Sequence, residues 1–340
     1  MSIKIKRIDV HHHILPPEYI SMLAKIGITG SLGQPFPKWS PEKSKSFMSK
    51  LNINTAITSI SSPGVYFKND AFSRELARVC NEYMAELKHK YIGKFGGFAS
   101  IPLPDVKGAL DELKYALDDL KLDGVCLMTH YKGKYLGNKE FEEVFKELNQ
   151  RKSVVFIHPT DPVGAYDPKL GISNALIEAP FETTRAVTNL IYTGTTDRYA
   201  DIRYILSHGG GTIPYLAWRI ALIKYGQENK KPAILKSLYD LIIKGGPESG
   251  LKILKNMHYD TALTSSPYAM KALQEFAGPL RIVFGSDFPF AKVARIVAKN
   301  LRKYNDFSEE EFEAIDSKNC IELFPNLSEY FQEEGRWCMS

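Results

Sequence analysis

A closed (β/α)8 barrel of the α/β class is predicted by three observations. Strand-like runs alternate with helical ones along nearly the whole chain, eight such strands can be counted, and the residues able to carry chemistry fall where strands end. Such alternation implies parallel strands joined by right-handed crossovers, and eight units close on themselves. An open doubly wound sheet would need a glycine-rich phosphate turn after its first strand, and none is there.

The first strand is the run IDVHHH from Ile8, stopped by Pro16-Pro17. Residues 16–50, rich in Pro, Gly, Lys and Ser, are expected to be a long strand-to-helix loop, the place where a barrel keeps its binding apparatus. Thr55 to Ser61 forms the second strand, followed by a Ser-Pro-Gly turn and the helical stretch DAFSRELARVCNEYMAELKHK. FGGFASIPLP is the third strand, and Asp105 caps the amphipathic VKGALDELKYALDDL. Then come GVCLMTHY, the helix EFEEVFKELNQRK, the strand SVVFIHP, the helix ETTRAVTNLIYTG, the strand DIRYILSHGGG and a helix from Ile213. A helical insertion is expected at about residues 226–256. NMHYDTAL, the helix PYAMKALQEFA, the strand RIVFGSDFPF and closing helices complete the pattern, with a C-terminal extension at about 326–340. One domain should span residues 1–340, a length that barrels of this kind reach as single units.

Charge and composition narrow the function. The 44 Lys and Arg against 39 Asp and Glu leave +5, with both signs interspersed, so no stripe for nucleic acid and no polybasic membrane patch stands out. Four widely spaced cysteines, Cys80, Cys126, Cys320 and Cys338, make no disulfide scaffold and read as reduced thiols in a cytoplasmic protein. No stretch approaches the roughly 20 apolar residues of a membrane span.

The histidines of the first strand carry the chemistry. Side chains alternate along a strand, so His11 and His13 share one face while His12 points to the other. Two imidazoles so placed can share a metal ion that takes further ligands from elsewhere. A tag remnant does not explain them, since the cluster is embedded between a β-branched strand and a Pro-Pro stop. In a barrel of this class the active face lies at the carboxyl ends of the strands. His158 ends the fifth strand there, His208 the sixth and Asp287 the eighth. His258 starts the seventh strand, on the opposite face; His89 sits in a charged helical segment; His130, after the fourth strand, could touch substrate or simply hydrogen-bond.

This constellation resembles the amidohydrolase superfamily. The blocks FETTRAVTNLIYTG, SHGGGTIPYLAWRI and FGSDFPF resemble more narrowly the branch that contains aminocarboxymuconate semialdehyde, gamma-resorcylate and 6-methylsalicylate decarboxylases. The resemblance implies one divalent metal per chain, zinc with manganese as the alternative, held by His11, His13, His158 and Asp287 with a water completing the shell. No lysine ends the fourth strand, so the binuclear arrangement of other members is not expected. His208 would stand beside that water as acid or base, and Asp287 would also be the candidate proton donor.

Two reactions fit such a site. The resemblance favours metal-dependent, nonoxidative decarboxylation of a small ortho-hydroxy aromatic acid; hydrolysis of a lactone, ester or amide is the alternative. Arg219 matches an arginine that, in the semialdehyde decarboxylase, reaches a neighbouring subunit's substrate, which implies a homodimer or homotetramer. A second arginine of that enzyme has no match in FPKWSPEKSK, whose cations are Lys38, Lys43 and Lys45. A simpler acid with one carboxylate, held between Trp39 and Phe290 with His130 nearby, fits the loop better.

Overall fold

In the computed structural model, which describes residues 6–162, 164, 171–228, 248–291, 293–304 and 306–330, eight strands pair side by side in chain order. They are β1 (Arg7–His13), β2 (Ile53–Ser59), β3 (Phe95–Ser100), β4 (Gly124–Met128), β5 (Val154–His158), β6 (Arg203–Leu206), β7 (His258–Asp260) and β8 (Ile282–Val283). All the pairings within this sheet are parallel. The ring closes where the Val10 N–H donates to the Phe284 carbonyl at 3.0 Å and the His13 N–H to the Phe288 carbonyl at 2.7 Å. The predicted barrel is therefore the observed one.

The strands read as near-continuous apolar runs because helices cover the outer face while side chains fill the interior. Val155 and Ile157 are fully buried, as are Phe98 and Phe156, whose rings stack 5.3 Å apart. Around the sheet, the helix Asp70–Lys90 is capped by Asn69 and buries Leu76, Ala77, Cys80, Met84 and Leu87 along one stripe. Asp105 accepts from the Gly108 N–H at 3.0 Å and caps Val106–Lys114, as its spacing predicts.

Two local expectations change. Residues 16–50 are not a plain loop. They contain the helices Pro17–Lys25 and Pro41–Lys50, each with proline in the first turn, where a missing N–H costs nothing. The regular part of β8 is short, because Asp287 adopts a left-handed backbone (φ +58°) and the run 284–288 follows β1 irregularly. The glycines after β6 are required by fit. Gly210 has φ +76°, and a Cβ there would lie 2.6 Å from the Tyr259 ring; at Gly211 (φ +64°) it would meet the Pro180 carbonyl oxygen at 2.1 Å.

Of the expected helical insertion at 226–256, Glu248–Lys255 is helical and residues 229–247 lie outside the described residues. The C-terminal extension is described only to residue 330, and Cys338 lies beyond it. Cys80, Cys126 and Cys320 are buried and unpaired. Among the described residues, no helix is long and apolar enough to cross a membrane.

Candidate metal centre and its pocket

At the carboxyl ends of the strands, His11, His13, His158 and Asp287 offer one ligand atom each, all within 4.8 Å of one another and all buried. Alternation along β1 places His11 and His13 inward together, while His12 turns outward to Asp9 (3.1 Å) and Ser44 (2.9 Å). His158 is the last residue of β5. Asp287 is held by its own backbone, its N–H donating to the His11 carbonyl at 2.8 Å.

Each imidazole is fastened from behind. Nδ1 of His11 lies 2.6 Å from Asp260 Oδ2, Nδ1 of His13 lies 2.9 Å from Ser59 Oγ, and His158 Nδ1–H donates to the Pro159 carbonyl at 2.8 Å. Ring nitrogens tied outward in this way leave the opposite nitrogens to face the centre as ligands. There the Nε2 atoms of His11 and His13 stand 3.0 Å apart, and Asp287 Oδ1 is 3.4 Å from both. A tetrahedral ion with bonds of about 2.0 Å would set its ligand atoms about 3.3 Å apart. The four donors thus fit one divalent ion.

The electrostatics favour the neutral form at two of the three imidazoles, and at His11 an incoming ion must displace a proton. Burial, reinforced by the neighbouring imidazoles, drives His158 well below its ordinary pKa; burial also dominates at His13 and brings it to about 4. Both are neutral, the form that ligates. Burial opposes charge on His11 too, but the Asp260 and Asp287 carboxylates outweigh it and raise that ring to about 10. Burial also disfavours charge on Asp287, yet His11, His13 and His208 around it hold its carboxyl well below the usual range.

His208, just beyond β6, is mostly buried; its Nε2 lies 3.5 Å from Asp287 Oδ2, and its Nδ1 has no hydrogen-bond partner among the described residues. Above the four donors lies a cavity of about 120 Å³. Its walls include Leu32, Ala175, Leu263 and Phe290, with Ser31, Ser62 and Gln34 as polar members; His158, His208 and Asp287 reach it from below. Among the described residues that line it, none is Lys or Arg.

The remaining expected site residues scatter. Phe290 is in place, its ring edge-on to His13 at 5.6 Å. Trp39 is not: it donates to Ser44 and packs near Tyr83, on the outward side of β1 where His12 points. The helix Pro41–Lys50, unforeseen in the loop, carries it away from the cavity. His130 donates from Nε2 to the Asp161 carbonyl at 2.8 Å and approaches the buried Glu182 at 3.7 Å, so it makes structure nearby and does not line the cavity. Arg219 is exposed on the helix Ile213–Glu228 and does not line its own chain's cavity. Asp260, at the end of β7, was not anticipated. The test that singled out His158 and His208, a polar side chain at a strand's carboxyl end, would have found it.

Comparison with known proteins bears on this arrangement. A family profile described as amidohydrolase matches residues 8–325. The chain is 39% identical over 338 residues to a protein of Aspergillus niger named decarboxylase yanB, covering 94% of this chain and 88% of that one. It is 35% identical to the 6-methylsalicylic acid decarboxylase of Penicillium expansum, covering 94% and 97%. The crystal structure of a dihydroxybenzoic acid decarboxylase from a Polaromonas species, with bound manganese and the inhibitor 2-nitroresorcinol, superposes with a TM-score of 0.79 at 20% identity. It covers 97% of this chain and all of that one, and so shares the fold.

Proposed function

We propose, for a chain that belongs to the amidohydrolase family, a metal-dependent, nonoxidative decarboxylase of small ortho-hydroxy aromatic acids. The observation that carries this reading is the set of inward-facing donors, three imidazoles and one carboxylate, beneath a small, largely apolar cavity. The relatives' named activity on 6-methylsalicylic acid supports the reaction class.

Size and charge select the substrate. A cavity of about 120 Å³ is far below the roughly 300–1,000 Å³ of pockets for drug-sized ligands, so the occupant is a single substituted ring. Phe290 and Leu263 offer it apolar contact. The described lining residues include no Lys or Arg, which favours an acid with a single carboxylate, the one that faces the donor set.

His11, His13, His158 and Asp287 would hold one divalent ion, zinc or the manganese seen in the Polaromonas enzyme. When bound, such an ion supplies positive charge for the substrate's carboxylate and phenolic oxygens. The chain's own residues then handle the proton. Decarboxylation requires a proton on the ring carbon that bears the carboxylate; as the carbon–carbon bond breaks, its electron pair returns to the ring and carbon dioxide departs. Asp287 is the candidate donor. Its surroundings keep it ionised, so it must receive a proton before giving one, and His208 at 3.5 Å is placed to deliver it.

The active unit is a dimer or larger, with Arg219 serving a neighbouring subunit. Its helix turns Tyr215, Trp218, Leu222 and Ile223 outward at helical spacing, an apolar stripe suited to a second copy. A cytoplasmic setting suits the three buried, unpaired cysteines. The test is elemental analysis of the purified protein combined with a carbon dioxide release screen over hydroxybenzoates. About one ion per chain and release from a monocarboxylic 2-hydroxybenzoate are expected; hydrolysis of lactones, esters or amides without any release would replace the reading by a hydrolase.

A further inference from the structure

We propose that Asp260 is the positioning residue that sets a metal ligand and the acid–base histidine in one frame. One of its carboxylate oxygens fixes the ring of His11, and the other holds the backbone of His208. This rests on the reading of the four donors as a metal site, and assigns a role to a residue outside that set.

Asp260 ends β7 with no exposed surface. Oδ2 lies 2.6 Å from His11 Nδ1, while Oδ1 accepts the backbone N–H of His208 at 2.8 Å and of Ala262 at 3.0 Å. The first contact determines which nitrogen ligates. A carboxylate facing Nδ1 keeps a proton there, so Nε2, directed at His13 Nε2 and Asp287 Oδ1, is the nitrogen that gives up its proton to an ion. The second contact holds a strained turn. His208 has φ +53°, a left-handed conformation uncommon for a residue with a side chain, and its N–H is anchored by Asp260. The segment after β8, which lies between β7 and β1, leaves room for this: at Gly285 a Cβ would lie 2.9 Å from His11 Cβ and 3.1 Å from Asp260 Cβ. A purely structural carboxylate would need only the two backbone N–H groups. The third partner, a ring nitrogen of a candidate ligand, is what a turn cap does not explain.

Asp260→Asn separates these roles. The amide oxygen can still accept from His208 and Ala262, but its NH2 faces His11 Nδ1 and favours the tautomer whose Nε2 carries the proton. We expect the metal-free variant to keep its circular dichroism, and to bind zinc about 10–100-fold more weakly in chelator competition. Asp260→Ala removes both contacts; at saturating zinc its kcat should fall about 10–100-fold with little change in KM. Nitrogen NMR of histidine-labelled wild-type protein should show His11 protonated at Nδ1, a readout independent of whether a variant folds. Zinc affinity equal to wild type in Asp260→Asn, or a bare Nδ1 on His11, overturns the proposal while leaving the metal site intact. A wild-type chain that holds no ion overturns the metal reading first, and this proposal with it.

Discussion

Asp287 divides its carboxylate between two duties: Oδ1 stands 3.4 Å from Nε2 of both His11 and His13, and Oδ2 stands 3.5 Å from Nε2 of His208. One side chain therefore joins the candidate ligand set to the candidate acid–base group. His208→Ala should keep the metal and lose turnover by about 10²–10⁴-fold, the range for a removed acid or base. Asp287→Asn should be at least as damaging, since it removes a ligand charge along with the proton path. Steady-state rates beside metal content decide it; a fully active His208→Ala variant would remove that residue from the chemistry.

His11→Ala and His158→Ala should each strip the ion, because each deletes one of four converging donors. Metal content and folding are measured together, as β1 carries two of the ligands. Stoichiometric metal in the His11→Ala, His13→Ala double variant would contradict the ligand assignment.

Most of this site was legible in the sequence, for a physical reason. A strand's two-residue period fixes which histidines share a face, and the barrel fixes which strand ends matter, so His11, His13, His158, His208 and Asp287 could be placed without coordinates. Trp39 could not, because its position depends on the helix Pro41–Lys50, hidden in a stretch rich in loop-forming residues. Asp260 is harder to read for a different reason: a supporting carboxylate has no motif of its own, and the same short strand starts with the more conspicuous His258.

Gly210→Ala should destabilise the fold by about 1–3 kcal/mol, since the new methyl group meets the Tyr259 ring at 2.6 Å with the backbone at φ +76°. Chemical denaturation measures this. A neutral or stabilising result would show that the turn after β6 is free to shift.

Stability should decline on acidification through the histidine at the barrel's other end. Burial, with help from Arg281, lowers the His258 pKa from 6.5 to about 4. A histidine depressed in the folded state favours folding only while neutral. Its contribution is therefore complete above pH 6.5 and is lost as pH falls through about 4. His258→Gln should shallow the pH dependence of the melting temperature across that window; an unchanged slope would contradict the assignment.

Arg219→Ala should lower activity without altering the metal content, and sedimentation should show a dimer or larger species in the wild type. A monomer fully active at nanomolar concentration would refute the role given to the helix Ile213–Glu228.

Turnover of a monocarboxylic 2-hydroxybenzoate such as 6-methylsalicylic acid in deuterated water reads the reaction itself. Carbon dioxide release from the metal-loaded protein and a phenolic product with deuterium at the ring position that carried the carboxylate are expected. Substrate-level rates on an ester, lactone or amide, with no hydroxybenzoate decarboxylated and no ring deuterium incorporated, would contradict it.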